Sequence, residues 1–202
     1  MERHEAKPNL SAGSCKECAK KINRRHAILN AGFGGIGLSL IPALIFGETD
    51  PASEPPQPGD VLVGVSDAKH KPLRPDDIVI GVPPTLVWPM AGSIVRSQSR
   101  FNQLLLIRLD SATLNAETKS MSADGVLAFS ALCPHAGCTI DEWVPERSVL
   151  ACDCHSSEFD PREAGKVVDG PAARPLPPLA LKLVDGKLAV AKPFGVPIRF
   201  DE

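Results

Sequence analysis

From Asp60 onward the chain alternates short apolar runs with turn residues, the pattern of an antiparallel β domain rather than a helical one. Runs at 61–65, 78–82, 104–109, 126–130 and 149–152 each predict a strand. Near the end, Asp185-Gly186 stands between alternating runs at 179–184 and 187–191. Asp-Gly suits a type I′ hairpin because both turn residues must accept positive φ. One stretch breaks the β pattern: 27–46, AILNAGFGGIGLSLIPALIF, carries no charge. As a helix it would span about 30 Å, the thickness of bilayer hydrocarbon, so it predicts one transmembrane helix. As a soluble core helix it would be poor, since Gly32, Gly34, Gly35, Gly37, Asn30 and Pro42 all disfavour helix in water.

Composition agrees with a globular chain: 43% of the 202 residues are apolar and 23% charged, with 20 Pro, 16 Gly and no Tyr. The net charge of -2 hides an asymmetry. Residues 1–26 hold seven Lys/Arg against three Asp/Glu, leaving fifteen against twenty-one elsewhere. With Lys20, Lys21, Arg24 and Arg25 before the span and Glu48 and Asp50 after it, the bias places the N-terminus in the cytoplasm and the β domain outside. No basic patch recurs in the β region, which argues against a nucleic-acid partner. Arg24-Arg25 before a Gly-rich apolar stretch looks like a twin-arginine export signal, and ordinary topogenic arginines would read the same way. No clean small-residue cleavage site follows Phe46, which favours a retained anchor. The next stretch, 48–59 (ETDPASEPPQPG), reads as a semi-rigid tether reaching up to about 37 Å. The chain thus divides into a basic segment (1–26), an anchor (27–46), a tether (47–59) and a β domain (60–202).

Four of the six Cys and two of the five His fall between 133 and 155, in C-P-H-A-G-C (133–138) and C-D-C-H-S-S (152–157). Each box offers one Cys and one His at short spacing: Cys133 with His135, and Cys152 with His155. Two thiolates and two imidazoles suit either a zinc ion or a [2Fe-2S] cluster whose irons divide the ligands. Cys15 and Cys18 form a C-x-x-C with no partner pair and are read as incidental. His4, His26 and His70 are read as solvated, and Trp88 and Trp143 as packing aromatics.

The boxes C-x-H-x-G-C and C-x-C-H-x-S, with sixteen residues between His135 and Cys152, resemble those of the Rieske iron–sulfur proteins, in the disulfide-containing branch found in quinol:cytochrome c reductases. The similarity covers about residues 125–192, where GKVVDGPAARPLPPLALKLVDGKLAV looks like that family's Gly-Pro loop and last hairpin. The resemblance implies an all-β fold: an antiparallel Rieske-type domain with a small cluster-binding subdomain, here preceded by one N-terminal transmembrane helix. It implies one [2Fe-2S] cluster per chain, with Cys133 and Cys152 on the inner iron and His135 and His155 on the outer. It further implies a Cys138–Cys154 disulfide joining the boxes and Ser157 hydrogen-bonding a cluster sulfur. Two positions depart from the family: Phe159 replaces the Tyr of high-potential members, and Ala136 replaces the Leu usual at the docking tip of quinol-oxidising members.

The function so implied is that of a redox subunit in an oxidoreductase complex of the bacterial inner membrane, with the domain in the periplasm. His155 would take a proton as quinol gives up an electron beside a cytochrome b-type partner, and a cytochrome c-type acceptor would receive the electron. An alternative pairs the domain with a molybdenum oxidase or another periplasmic dehydrogenase; the C-P-H form of the first box and Ala136 lean that way. A structural zinc module is the third reading. Zinc sites favour Cys pairs two to four residues apart and give Cys138 and Cys154 no role.

Overall fold

A computed structural model describes residues 49–201. The basic segment 1–26, with Cys15 and Cys18, and the apolar stretch 27–46 lie outside the described residues. Among the described residues no helix is long and apolar enough to cross a membrane. In chain order the elements are β1 (Val61–Gly64), β2 (Thr85–Ala91), β3 (Ile94–Val95), β4 (Leu104–Arg108), α1 (Ala116–Met121), β5 (Val126–Ser130), β6 (Glu142–Val144) and β7 (Val149–Cys152). They continue with β8 (Ser157–Asp160), β9 (Lys166–Asp169), β10 (Pro178–Leu179), β11 (Leu181–Val184) and β12 (Lys187–Val190).

Two antiparallel sheets form. The larger runs β10-β5-β4-β2-β1-β12-β11, with β3 added beside β2; the smaller runs β6-β7-β8-β9. The two ends of the larger sheet, β10 and β11, are separated in the chain by Ala180 alone. Leu179 and Leu181 therefore lie within about 7 Å of each other, which forces the sheet to curl back on itself like a barrel. Leu62, Val87, Leu104, Leu106, Val126, Leu188 and Val190 pack together inside it. The opposite faces of β4 and β5, carrying Leu105, Ile107, Leu127 and Phe129, pack with Leu150 and Phe159 of the smaller sheet. Both faces of these two strands are thus covered, which is why their sequences read as unbroken apolar runs. The all-β expectation holds for the described residues, with a single α-helix of six residues capped by Asn115 Oδ1, which accepts the Thr118 N–H at 2.8 Å.

Three expectations change in detail. The 78–82 run forms no strand: it contributes one parallel bridge, Ile80 to Arg108, and leaves Val79 and Ile80 exposed. β4 is already paired with β2 and β5 along 104–106 and offers no free edge until Arg108. In its place β2 forms despite Pro89, which falls where pairing with β4 has ended and pairing with β3 has not begun, so its missing N–H is not needed there. The 179–184 run splits at Ala180 as the chain passes from the β5 edge to the β12 edge.

The tether also differs. Over residues 51–59 it is bound to the 96–102 segment and to the end of β12 instead of extending. Arg96, 5% exposed, donates from Nε to Asp60 (2.7 Å) and from Nη1 to Glu54 and to the Pro51 carbonyl (both 2.9 Å). Asn102 Nδ2 donates to the Glu54 carbonyl at 2.7 Å, Gln98 N–H to the Ala52 carbonyl at 3.1 Å, and Gly59 N–H to the Val190 carbonyl at 2.9 Å.

Candidate metal centre

The first box follows β5. Its turn is closed by the Cys133 N–H donating to the Cys138 carbonyl and the Gly137 N–H to the Cys133 carbonyl, both at 2.8 Å. The second box is the hairpin between β7 and β8. There Cys152 pairs across the strands with Ser157, and the Ser156 N–H donates to the Cys152 carbonyl at 2.9 Å. Because side chains alternate along a strand, Leu150 and Cys152 on β7 share a face with Ser157 and Phe159 on β8, and this face turns inward. The two hairpins are joined by the Cys138–Cys154 disulfide, S–S 2.09 Å and Cα–Cα 6.5 Å.

Cys133 and Cys152 remain as free thiols, 1% and 2% exposed. His135, half-buried, and His155, exposed, turn their Nδ1 atoms toward each other at 3.3 Å, with the rings nearly perpendicular. The thiols therefore lie inward and the imidazoles at the solvent edge. Burial pushes the Cys133 thiol above the ordinary cysteine value, and the neighbouring Cys152 pushes it the same way. The His135 N–H and the Ser157 hydroxyl, both hydrogen-bonded to the Cys133 sulfur, work in the opposite direction. Ser157 Oγ also accepts the Ala172 N–H at 3.2 Å, which brings the 170–175 loop over the second box. Gly170 permits that approach: its φ is +86°, and a Cβ there would come within 2.4 Å of the Ser157 Cα. At the rim, a hydrogen bond and like charge from Asp153 raise the exposed Glu142 carboxyl above the usual range, giving this side of the second box an acidic edge.

The donor set tests what the site can hold. The sulfurs of Cys138, Cys152 and Cys154 lie within 4.8 Å of one another. The disulfide leaves no thiolate on Cys138 or Cys154, so Cys152 is the only ligand candidate in that trio. Two buried thiols beneath two converging imidazole nitrogens form a two-soft, two-borderline set that can divide between two metal ions. Trp143 packs in the same core cluster as Cys133 and Cys152, and its Nε1 is a buried donor with no protein acceptor. The structure thus brings together all seven residues of the boxes on which the sequence reading centred, and Cys138 and Cys154 form the expected disulfide. It adds contributors with no signature in the boxes: Ala172, Gly170 and, from the far end of the chain, Phe200 and Asp201. Asp201 N–H bonds to the carbonyls of Pro134 (2.9 Å) and His135 (3.0 Å).

Two Cys/His hairpins clasped by a disulfide, with two buried thiols and two facing imidazoles, define a candidate metal centre on a β domain. Residues 100–182 match the family model of the Rieske [2Fe-2S] domain, and with Cys138 and Cys154 bridged the chain carries a Rieske domain of the disulfide-containing branch. The cofactor of such a domain is a [2Fe-2S] cluster. The chain is 32% identical over 97 residues to the cytochrome bc1 complex Rieske iron-sulfur subunit of Streptomyces lividans, covering 47% of this chain and 57% of that one. It is 33% identical over 96 residues to a putative respiratory nitrate reductase subunit Rieske of Haloferax mediterranei, covering 47% and 43%. It is 36% identical over 64 residues to the cytochrome b6-f complex iron-sulfur subunit of Chlorobaculum tepidum, covering 32% and 34%. The matched segment spans little more than half the length of the first of these relatives and less of the other two.

Proposed function

We propose that this protein is a membrane-anchored electron carrier that accepts one electron from quinol, with a proton going to His155, and passes the electron to a cytochrome c-type acceptor. The carrying observation is the exposed His155 imidazole, whose Nδ1 faces that of His135 at 3.3 Å beside two buried thiols. Cys133 and Cys152 would hold one iron and His135 and His155 the other. Bound there, the cluster supplies a one-electron acceptor and donor close to the surface. His155 turns Nδ1 inward, so Nε2 is the nitrogen left to accept a hydrogen bond from a quinol hydroxyl and hold its proton. Ser157 and the His135 N–H keep donors on the Cys133 sulfur, favouring the electron-rich state. The 170–175 loop and the disulfide exclude water from the thiol side.

The uncharged 27–46 stretch and the charge bias around it support an anchor with the domain on the far side of the membrane. The disulfide supports an oxidising compartment. Residues 51–54 are hydrogen-bonded to Arg96 and Asn102, which favours placing the hinge of any swing between donor and acceptor before them. The likeness to a nitrate reductase subunit, with Ala136 at the loop tip, favours a second reading in which the donor or acceptor is a molybdenum-type catalytic subunit. Purification of the full chain from its native membrane discriminates between them. A cytochrome b partner, with reduction by added quinol read from a rhombic paramagnetic signal, supports the first reading. A molybdopterin subunit with no reduction by quinol supports the second, and a chain holding zinc without acid-labile sulfide defeats both.

A further inference from the structure

Beyond β12 the chain returns to the centre and lays residues 200 and 201 across the first box. The Phe200 ring stacks on Phe101, with centroids 5.8 Å apart, and lies under the Arg100 guanidinium, 5.8 Å from the ring centre. Arg100 Nη2 also donates to the Gly137 carbonyl. The ring fills the place where a side chain at Gly137 would project: a Cβ there would fall 2.8 Å from Phe200 Cζ. Asp201 shares its N–H between the Pro134 and His135 carbonyls. Its carboxylate accepts the Ala173 N–H at 2.9 Å and pairs with Arg174 through Nε at 2.7 Å and through Nη2. Arg174 Nη2 reaches the Phe200 carbonyl at 3.0 Å as well. Two residues of this strap thus tie together the 100–101 turn, the first box and the 170–175 loop, and that loop reaches the second box through the Ala172 to Ser157 hydrogen bond.

We infer that Phe200 and Asp201, braced by Arg100 and Arg174, are positioning residues for His135. The place of the His135 ring against His155 depends on where its backbone lies, so a shift of the 134–136 backbone carries the ring with it. On the C-terminal side that backbone is held through Cys138 by the disulfide, and on the other by the Asp201 N–H. Without the strap the Pro134 and His135 carbonyls lose the Asp201 donor, and the backbone that sets the 3.3 Å nitrogen pair is held less firmly. The inference rests on the ligand role proposed for His135 and adds residues that touch neither substrate nor cluster.

The test uses the full-length chain in detergent carrying Phe200→Ala and Asp201→Ala together. Amide exchange at 135–138 should accelerate about tenfold, as expected when a local brace of this kind is lost. Loss of cluster iron to a chelator should accelerate about tenfold, the usual penalty for removing a group that supports a ligand. The g values of the reduced protein should shift or broaden, while the disulfide stays formed. Leu188→Ala, a cavity in the larger sheet, should lower the melting temperature without moving the g values, which separates positioning from general destabilisation. Restoring Asp201 alone should recover part of each effect. Wild-type exchange, iron retention and g values in the double variant would overturn the inference while leaving the proposed function intact. A wild-type chain that never loads iron would instead defeat the ligand assignment, and this inference with it.

Discussion

The larger and smaller sheets are made of similarly short strands, yet they are held by different means. Inside the larger sheet Leu62, Val87, Leu104, Leu106, Leu188 and Val190 are all fully buried, and the curl leaves little edge open. That is ordinary hydrophobic stabilisation, worth about 1.5–3 kcal/mol for each such side chain. In the smaller sheet β7 and β8 are buried, with Trp143, Leu150 and Phe159 in the core, but much of β9 is exposed. It is completed by a disulfide, by the Arg147–Glu158 ion pair and by two buried thiols.

The sharpest way to break that contrast is to remove a thiol. Cys152→Ser should abolish iron binding, measured as iron and acid-labile sulfide per chain, while far-UV melting of the larger sheet stays near wild type. Full iron content in this variant would remove Cys152 from the ligand set. The counterpart in the larger sheet is Arg96→Ala. It leaves Asp60 buried without its cation, and breaking such a pair costs about 3–5 kcal/mol. Urea titration should show that loss, with the reduced cluster's paramagnetic signal unchanged in shape.

A smaller effect, confined to the other region, is expected from replacing Cys138 and Cys154 together by Ala. The bond closes a loop with a sequence separation of 16, worth about 3 kcal/mol in chain-entropy terms. Hydrogen exchange should quicken in β6 to β9 and remain slow in β4 and β5. A uniform change across both sheets would mean that the two regions are not energetically distinct.

The sequence displays the two regions unequally, for the same reason. β1, β4, β5, β7 and β12 announce themselves because each puts several aliphatic residues in a local period. β6, β8 and β9 do not, since Glu142, Glu158, Asp160 and Lys166 interrupt them and find partners only after folding, as Glu158 does with Arg147 at 2.6 Å. The boxes were legible because ligand chemistry is encoded in spacings of one to four residues. The strap was not: nothing near Phe200 or Asp201 marks them as neighbours of Pro134 and His135. Proline content in the tether spoke for stiffness, but it could not reveal that Arg96, 42 residues from Glu54, would bind it.

The smallest predicted effect probes the electronic side of the smaller region. Phe159 is fully buried, lies opposite Leu150 and Val167, and packs in one cluster with Cys133 and Cys152. In Phe159→Tyr the added hydroxyl enters an apolar enclosure where an unpaired O–H is costly, so it is driven toward the sulfurs of that cluster. A donor to sulfur stabilises the reduced state more than the oxidised one, because the reduced state carries more negative charge. One such bond, at about 1 kcal/mol, corresponds to a rise of roughly 40 mV in a one-electron midpoint potential. Protein-film voltammetry should therefore find the variant's midpoint above wild type. A midpoint that falls or stays put would mean the hydroxyl found another partner, and that the potential of this centre is set by Ser157 and the backbone donors alone.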